Sequence, residues 1–171
     1  MDLFVLSDGT RVTIRPIRPQ DKAELTAGLG RLSATTVQKR FMSPKTRFSA
    51  AELRYLTEVD GHSHAALVAE ETDPPHRIVA VARYVCLTDE PGTADVAIVV
   101  GDALHGQGLG TVLAAHLAEV AVREGVQRFS ATMLGDNIAA HRLMEQLAGH
   151  LERRASGSGQ SELIARLDSA A

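Results

Sequence analysis

The chain has 171 residues, and 18 Lys plus Arg against 21 Asp plus Glu give it a formal charge of −3. With 44% apolar and 23% charged residues it has the composition of one globular domain, and the charge balance argues against a nucleic-acid binder. The single Cys86 excludes an internal disulfide, and no segment approaches the roughly 20 apolar residues a bilayer-spanning helix needs; the longest candidate, residues 112–122, carries His116 and Glu119. No N-terminal run has the form of a signal peptide, so a reducing cytoplasm is the expected compartment.

In chain order, residues 3–6 and 12–16 flank the turn Ser7-Asp8-Gly9-Thr10 and predict a β-hairpin or an extended arm feeding a first strand. From Asp21 the spacing changes: Ala23, Leu25, Leu29 and Leu32 recur at helical intervals behind the start signal Pro19-Gln20-Asp21. Two short helices are predicted over 34–41 and 49–58, the second opened by Ser49 with Glu52 three residues on, the capping-box spacing. Residues 65–68 read as a strand, and beyond Pro74-Pro75 the β-rich run 77–87 leads through Asp89-Glu90-Pro91-Gly92 to another over 94–100. That strand runs straight into a glycine-rich loop. After it, Leu109, Val112, Leu113, Leu117, Val120 and Ala121 form one helical stripe that stops near Gly125. A strand over 128–134, a helix over 137–147 and a hairpin over 151–154 and 163–167 complete the chain. No linker or repeat divides it, so one α+β domain over residues 1–171 with a single mixed sheet is expected.

The informative segment is the loop between strand 94–100 and the following helix. A strand ending in glycines and opening a helix aims backbone N–H groups and the positive helix end at one spot, which suits a phosphate. Two nucleotide motifs lose their decisive residue here. A P-loop needs Lys after its second glycine, and Gly106 is followed by Gln107; a dinucleotide fingerprint needs a third glycine where Thr111 stands.

What remains, His105-Gly106-Gln107-Gly108-Leu109-Gly110, resembles the pyrophosphate loop of the Gcn5-related N-acetyltransferase (GNAT) superfamily, written Q/R-x-x-G-x-G/A. Two further landmarks follow the family order. Residues 14–21, Ile14-Arg15-Pro16 through Asp21, look like its first strand and helix entry, and Asn137-Ile138-Ala139-Ala140-His141-Arg142-Leu143-Met144 looks like its N-x-x-A-x-x-L-Y segment. Arg40-Phe41-Met42-Ser43-Pro44 and Ala94-Asp95-Val96-Ala97 look similar to the acetyltransferase domains of bacterial protein lysine acetyltransferases. The chain departs from the pattern at His105, at Met144 where many members carry a Tyr acid, and at Ala148-Gly149-His150 in place of Gly-Phe.

The resemblance implies a GNAT fold: a mostly antiparallel mixed sheet of six or seven strands, about four flanking helices, and a splay between the fourth and fifth strands. It implies acetyl-CoA as co-substrate, an amine acceptor that is a protein lysine or a small molecule, no nucleic acid, no membrane and no metal; a homodimer is compatible with it. Ile98, Val99 and Val100 would pair with the pantetheine arm, His105 would flank the loop, and Gly106, Gln107, Gly108, Leu109, Gly110 and Thr111 would hold the pyrophosphate. Asn137 would bond the arm from the other side, and His141, one turn on, would line the same cleft. Asp95 would be the general base, where members often place Glu.

Each residue also has a plainer reading: Asp95 as the solvent face of an alternating strand, Asn137 as a helix N-cap, His141 as a packed surface side chain. The pair His62 and His64 could ligate a metal, but no third ligand sits at a suitable spacing. A non-catalytic acyl-CoA sensor of the same fold is the rival function, because Met144 removes the Tyr acid and Asp95 is a short base. The segment 32–59 is expected to wall the acceptor.

Overall fold

The computed structural model describes residues 2–167. The N-terminal arm is a full strand: β1 (Asp2–Val5) pairs antiparallel with β2 (Arg11–Pro16) across a turn in which Gly9 has φ +88°. A 3₁₀ turn over Pro19–Asp21 then turns the chain into α1 (Lys22–Arg31). Charge fixes that corner. Arg15, 5% exposed, donates from Nη1 and Nη2 to the two Asp21 carboxylate oxygens at 2.9 Å each and from Nε to Glu70 at 2.8 Å. Burial pushes the Asp21 carboxyl up, but Arg15 and the Arg18 N–H outweigh it and hold the group below the usual carboxylate range.

Two short helices follow, α2 (Ala34–Phe41) and α3 (Ala50–Thr57), each capped by a serine hydroxyl that accepts an otherwise unpaired helical N–H. The predicted box at the second is present: Glu52 N–H donates to Ser49 Oγ at 3.1 Å and Ser49 N–H to Glu52 at 2.7 Å. The remaining elements are β3 (His64–Glu71), β4 (Ile78–Cys86), β5 (Thr93–Val100), α4 (Leu109–Arg123), β6 (Arg128–Leu134), α5 (Ile138–Leu147), β7 (Ala148–Ser156) and β8 (Gln160–Leu167).

The sheet has eight strands in the order β1-β2-β3-β4-β5-β6-β8-β7, antiparallel throughout except between β5 and β6. Among the described residues, eight strands and five helices exceed the six or seven strands and about four helices that the resemblance implies: the N-terminal arm pairs along its whole length as β1, and α1, α2 and α3, the three helices the spacing predicts, all precede β3. The splay accordingly lies between the fifth and sixth strands in chain order, not the fourth and fifth; counted from β2, the expected position is recovered. Parallel pairing there is confined to Thr93, Ala94 and Asp95 against Arg128, Phe129 and Ser130.

Two apolar layers sandwich the sheet. On one face Leu109, Leu113 and Leu117 of α4 bury against Tyr84, Phe129 and Leu163, each such side chain contributing about 1.5–3 kcal/mol. On the other, Leu25 packs with Ile17, Val68 and Ile78 beneath α1 and α3. The C-terminal hairpin is longer than its apolar residues suggest: pairing extends through Glu152, Arg153 and Arg154, which lie opposite Ile164, Leu163 and Glu162.

Candidate active site

Beyond Asp95 the edge of β5 that faces β6 has no partner strand among the described residues, and the chain enters the glycine loop. The loop is tied back at both sides. Gly101 N–H donates to the Val79 carbonyl at 2.8 Å, where a Cβ would stand 3.2 Å from that oxygen, and His105 donates Nε2–H to the Val100 carbonyl at 2.8 Å. Gly106 and Gly108 have φ of +74° and +80°, the left-handed region that glycine adopts without strain, and the space a Cβ would take at either is empty. The first bond of α4 is Val112 N–H to the Gly108 carbonyl, at 3.1 Å. The N–H groups of residues 106–111 therefore find no acceptor among the described residues, six consecutive donors at the positive end of a fifteen-residue helix. They border a cleft of about 510 Å³ between β5, α2 and α5.

Ile98, Val99, Val100, His105, Gly106, Gly108, Leu109, Gly110, Thr111 and Asn137 all line this cleft. Asn137 does so while capping α5, its Oδ1 accepting the Ala140 N–H at 3.3 Å, so both of its readings hold at once. Two predicted residues are placed otherwise. The Gln107 side chain turns out to the β1–β2 turn, accepting at Oε1 from Ser7 Oγ and Asp8 N–H at 3.2 Å each, and leaves only its N–H to the loop. His141 faces β7, where Arg153 donates to its Nδ1 at 3.2 Å, and is absent from the cleft wall. Met144 does line the cleft, 3% exposed, and offers no proton.

Asp95 sits where β5 and β6 part, opposite Val85 on one side and Ser130 on the other. Its neighbours Ala94, Val96 and Ile98 pack towards α4, so strand alternation turns Asp95, Ala97 and Val99 to the α1–α3 face. The Asp95 side chain is exposed and absent from the cleft wall; partial loss of hydration beside the splay raises its carboxyl above the ordinary value, Arg40 pulls it back, and Glu162 adds to the rise. On the same face, opposite Ala97, is Arg83, 6% exposed. It donates from Nη1 to the Leu56 carbonyl at 3.1 Å and to His64 Nε2 at 3.2 Å; burial and the nearby Arg40 charge bring it down to about 10. Arg40, on α2, is likewise lowered by burial, with Asp95 and Tyr55 opposing.

A second cavity of about 360 Å³ lies on this face, between α1, the α2 end and β4. Arg40, Val99 and Leu104 line both cavities and so form the partition between them. Sequence reasoning passed over Arg40 and Arg83; the available signal was Arg83 as the lone charge in the run Ile78–Cys86. His62 is engaged by Glu124 at 2.5 Å, and no group of three or more His, Cys, Asp or Glu among the described residues is placed to hold a metal. Burial pushes the Cys86 thiol up, with Asp60 adding to the rise, which disfavours a nucleophilic thiolate. No helix of the described residues is long and apolar enough to cross a membrane.

Comparison with known proteins places these features in context. The model of the acetyltransferase (GNAT) family matches residues 34–150. The chain is 34% identical over 150 residues, 88% of its length, to acetyltransferase Pat of Mycolicibacterium smegmatis, of which it spans 44%. It is 34% identical over 143 residues, 83% of its length, to acetyltransferase PA5475 of Pseudomonas aeruginosa, of which it spans 74%. The crystal structure of the GNAT domain of S. lividans PAT superposes with a TM-score of 0.83 at 27% identity, covering 97% of this chain and 96% of that one.

Proposed function

The chain belongs to the acetyltransferase (GNAT) family, and from that premise we propose that residues 1–171 form one N-acetyltransferase domain that moves an acetyl group from acetyl-CoA to a primary amine, a protein lysine or a small molecule, by direct attack in a ternary complex. The observation that carries this reading is the row of six unpaired N–H donors at the start of α4, beside the free edge of β5. A pyrophosphate is the group that such donors satisfy without a basic field. The thioester supplies an activated acetyl carbon and a thiolate leaving group.

The chain's own residues do the rest. Gly106, Gly108 and Gly110 keep Cβ atoms out of the phosphate cradle, and the unpartnered edge of β5 at Ile98, Val99 and Val100 offers backbone groups for strand-like pairing with an extended arm. Asn137 retains its Nδ2 donors after capping α5. Asp95, with a carboxyl raised above its ordinary value, takes the proton that makes the incoming ammonium a neutral nucleophile. The overall balance is one C–N bond formed, one C–S bond broken, one amine proton ending on the thiol and one released through Asp95.

Calorimetry with acetyl-CoA tests the cradle directly. The wild type should bind, and Gly108→Glu, which sets a carboxylate in the cradle on a left-handed backbone, should weaken binding more than about 100-fold. Equal affinity of the two proteins would remove the loop from the site.

A further inference from the structure

The α1–α3 cavity holds an imbalance of charge. Arg83 and Arg40 face it with burial lowering both, and no carboxylate lies within 4 Å of either among the described residues. The acids that line the cavity, Asp8, Glu24, Glu71 and Asp102, are engaged or remote. Glu24 pairs with Arg31, Asp102 accepts from Ser33 and Thr36, and Asp8 accepts from Gln107. Glu71 is five residues along β3 from Ala66, the residue opposite Arg83, which is roughly 16 Å of strand. Asp95 lies outside the cavity lining, a diagonal neighbour of Arg83 across β4 and β5 at about 7–8 Å, and its charge acts on Arg40. Arg83, buried, and Arg40, half-buried, thus face the cavity with no carboxylate of its wall free to answer them. A lysine side chain would bring a third cation and nothing to answer the arginines; a desolvated cation pair without an anion is costly unless a ligand supplies one.

Resting on the acetyltransferase reading above, we propose that the α1–α3 cavity binds a small primary amine that itself carries a carboxylate, an amino acid with an apolar side chain. Its carboxylate is held by Arg83 and Arg40, and its ammonium is turned to the partition of Arg40, Val99 and Leu104 that separates the cavity from the acetyl-CoA cleft. Leu25, Leu29, Phe41, Phe48 and Val81 give the cavity an apolar wall for the side chain, and about 360 Å³ admits a molecule of that size rather than a folded partner's surface. The product is the N-acetyl amino acid, with one amine proton transferred to the CoA thiol and the other released.

The test compares leucine with 3-methylbutylamine, the same molecule without its carboxylate, and with a lysine-containing peptide, by thioester release. Charge-assisted hydrogen bonds predict that leucine exceeds 3-methylbutylamine in kcat/KM by on the order of 10- to 100-fold. 4-Methylpentanoate, which lacks the amine, should bind in calorimetry without turnover. Arg83→Met, or Arg40→Gln should the first variant not fold, should weaken that binding about tenfold or more and bring the two acceptors level. Equal use of leucine and 3-methylbutylamine, or preference for the peptide, overturns this inference and leaves acetyl transfer standing. Acetyl-CoA failing to bind at all overturns both.

Discussion

Two regions of this molecule bury arginine, and they do so in opposite ways. At the β2–α1 corner Arg15 is answered in full, by Asp21 through two bonds and by Glu70 through a third. Beneath α1 and α3, Arg83 is as deeply buried and has only a carbonyl and a neutral imidazole. His64 must be the acceptor there, since a guanidinium has no lone pair to offer, and burial and the Arg83 charge together lower its proton affinity to match. The first arrangement raises the cost of unfolding. The second leaves a field unspent, and such a field is where a ligand gains more than the fold does.

The sharpest way to break this contrast is to make one substitution in both regions. Asp21→Asn removes one of the two charges that answer Arg15, leaving Glu70, and should cost about 1.5–3 kcal/mol in urea unfolding, the scale of charge-assisted hydrogen bonds. The acid limb follows with a definite sign. Asp21 and Glu70 have folded values below their ordinary ones, so their contribution is present above pH 4–5, the ordinary carboxylate range, and is lost as pH falls through the lowered values. That loss should shrink in Asp21→Asn.

Asp95→Asn should behave in the reverse sense. Its folded value is raised, so the contribution of the carboxyl is full below the ordinary value and is lost as pH rises through the raised one; at neutral pH the native charge is a burden. The Asn variant should be at least as stable as the wild type at pH 7 while losing 10²–10⁴-fold in kcat, about the scale of general-base catalysis. The acid limb of the wild-type kcat profile should lie above the ordinary carboxylate range and vanish in the variant. A destabilised Asp95→Asn would make the two regions alike, and survival of activity within threefold at pH 8 would remove Asp95 from the chemistry.

The two regions were also unequally legible in the sequence. Arg15 and Asp21 stand six residues apart, so their pairing is local and shows as a motif. The glycines of the loop were legible for a similar reason: a φ of +74° or +80° writes itself into the sequence as Gly. Asp95 was legible as the lone acid of its strand. Arg40 was not, because its position follows from docking of α2 onto the loop through Ser33 and Asp102, 69 residues apart, at 2.6 Å. Gln107 falls within the loop that the resemblance assigns to the pyrophosphate, and its side-chain partners Ser7 and Asp8 lie about a hundred residues away, out of reach of any local pattern. Arg83 was visible as a charge in an apolar run, but strand periodicity alone does not say whether a carboxylate will meet it.

The smallest expected effect is the most discriminating. Arg83→Met removes a desolvated cation and supplies an unbranched apolar chain of similar length, which alone would stabilise the fold. Against this, the Leu56 carbonyl and His64 Nε2 lose their donor, and a buried acceptor left unpaired costs about 1–3 kcal/mol. The two effects are of one size and opposite sign, so urea unfolding should place Arg83→Met within about 1 kcal/mol of the wild type. Arg15 in the same exchange would leave both Asp21 and Glu70 unanswered. A loss at Arg83 as large as that at the β2–α1 corner would mean that its charge serves the fold, and the cavity beside it would then have no claim on an anion.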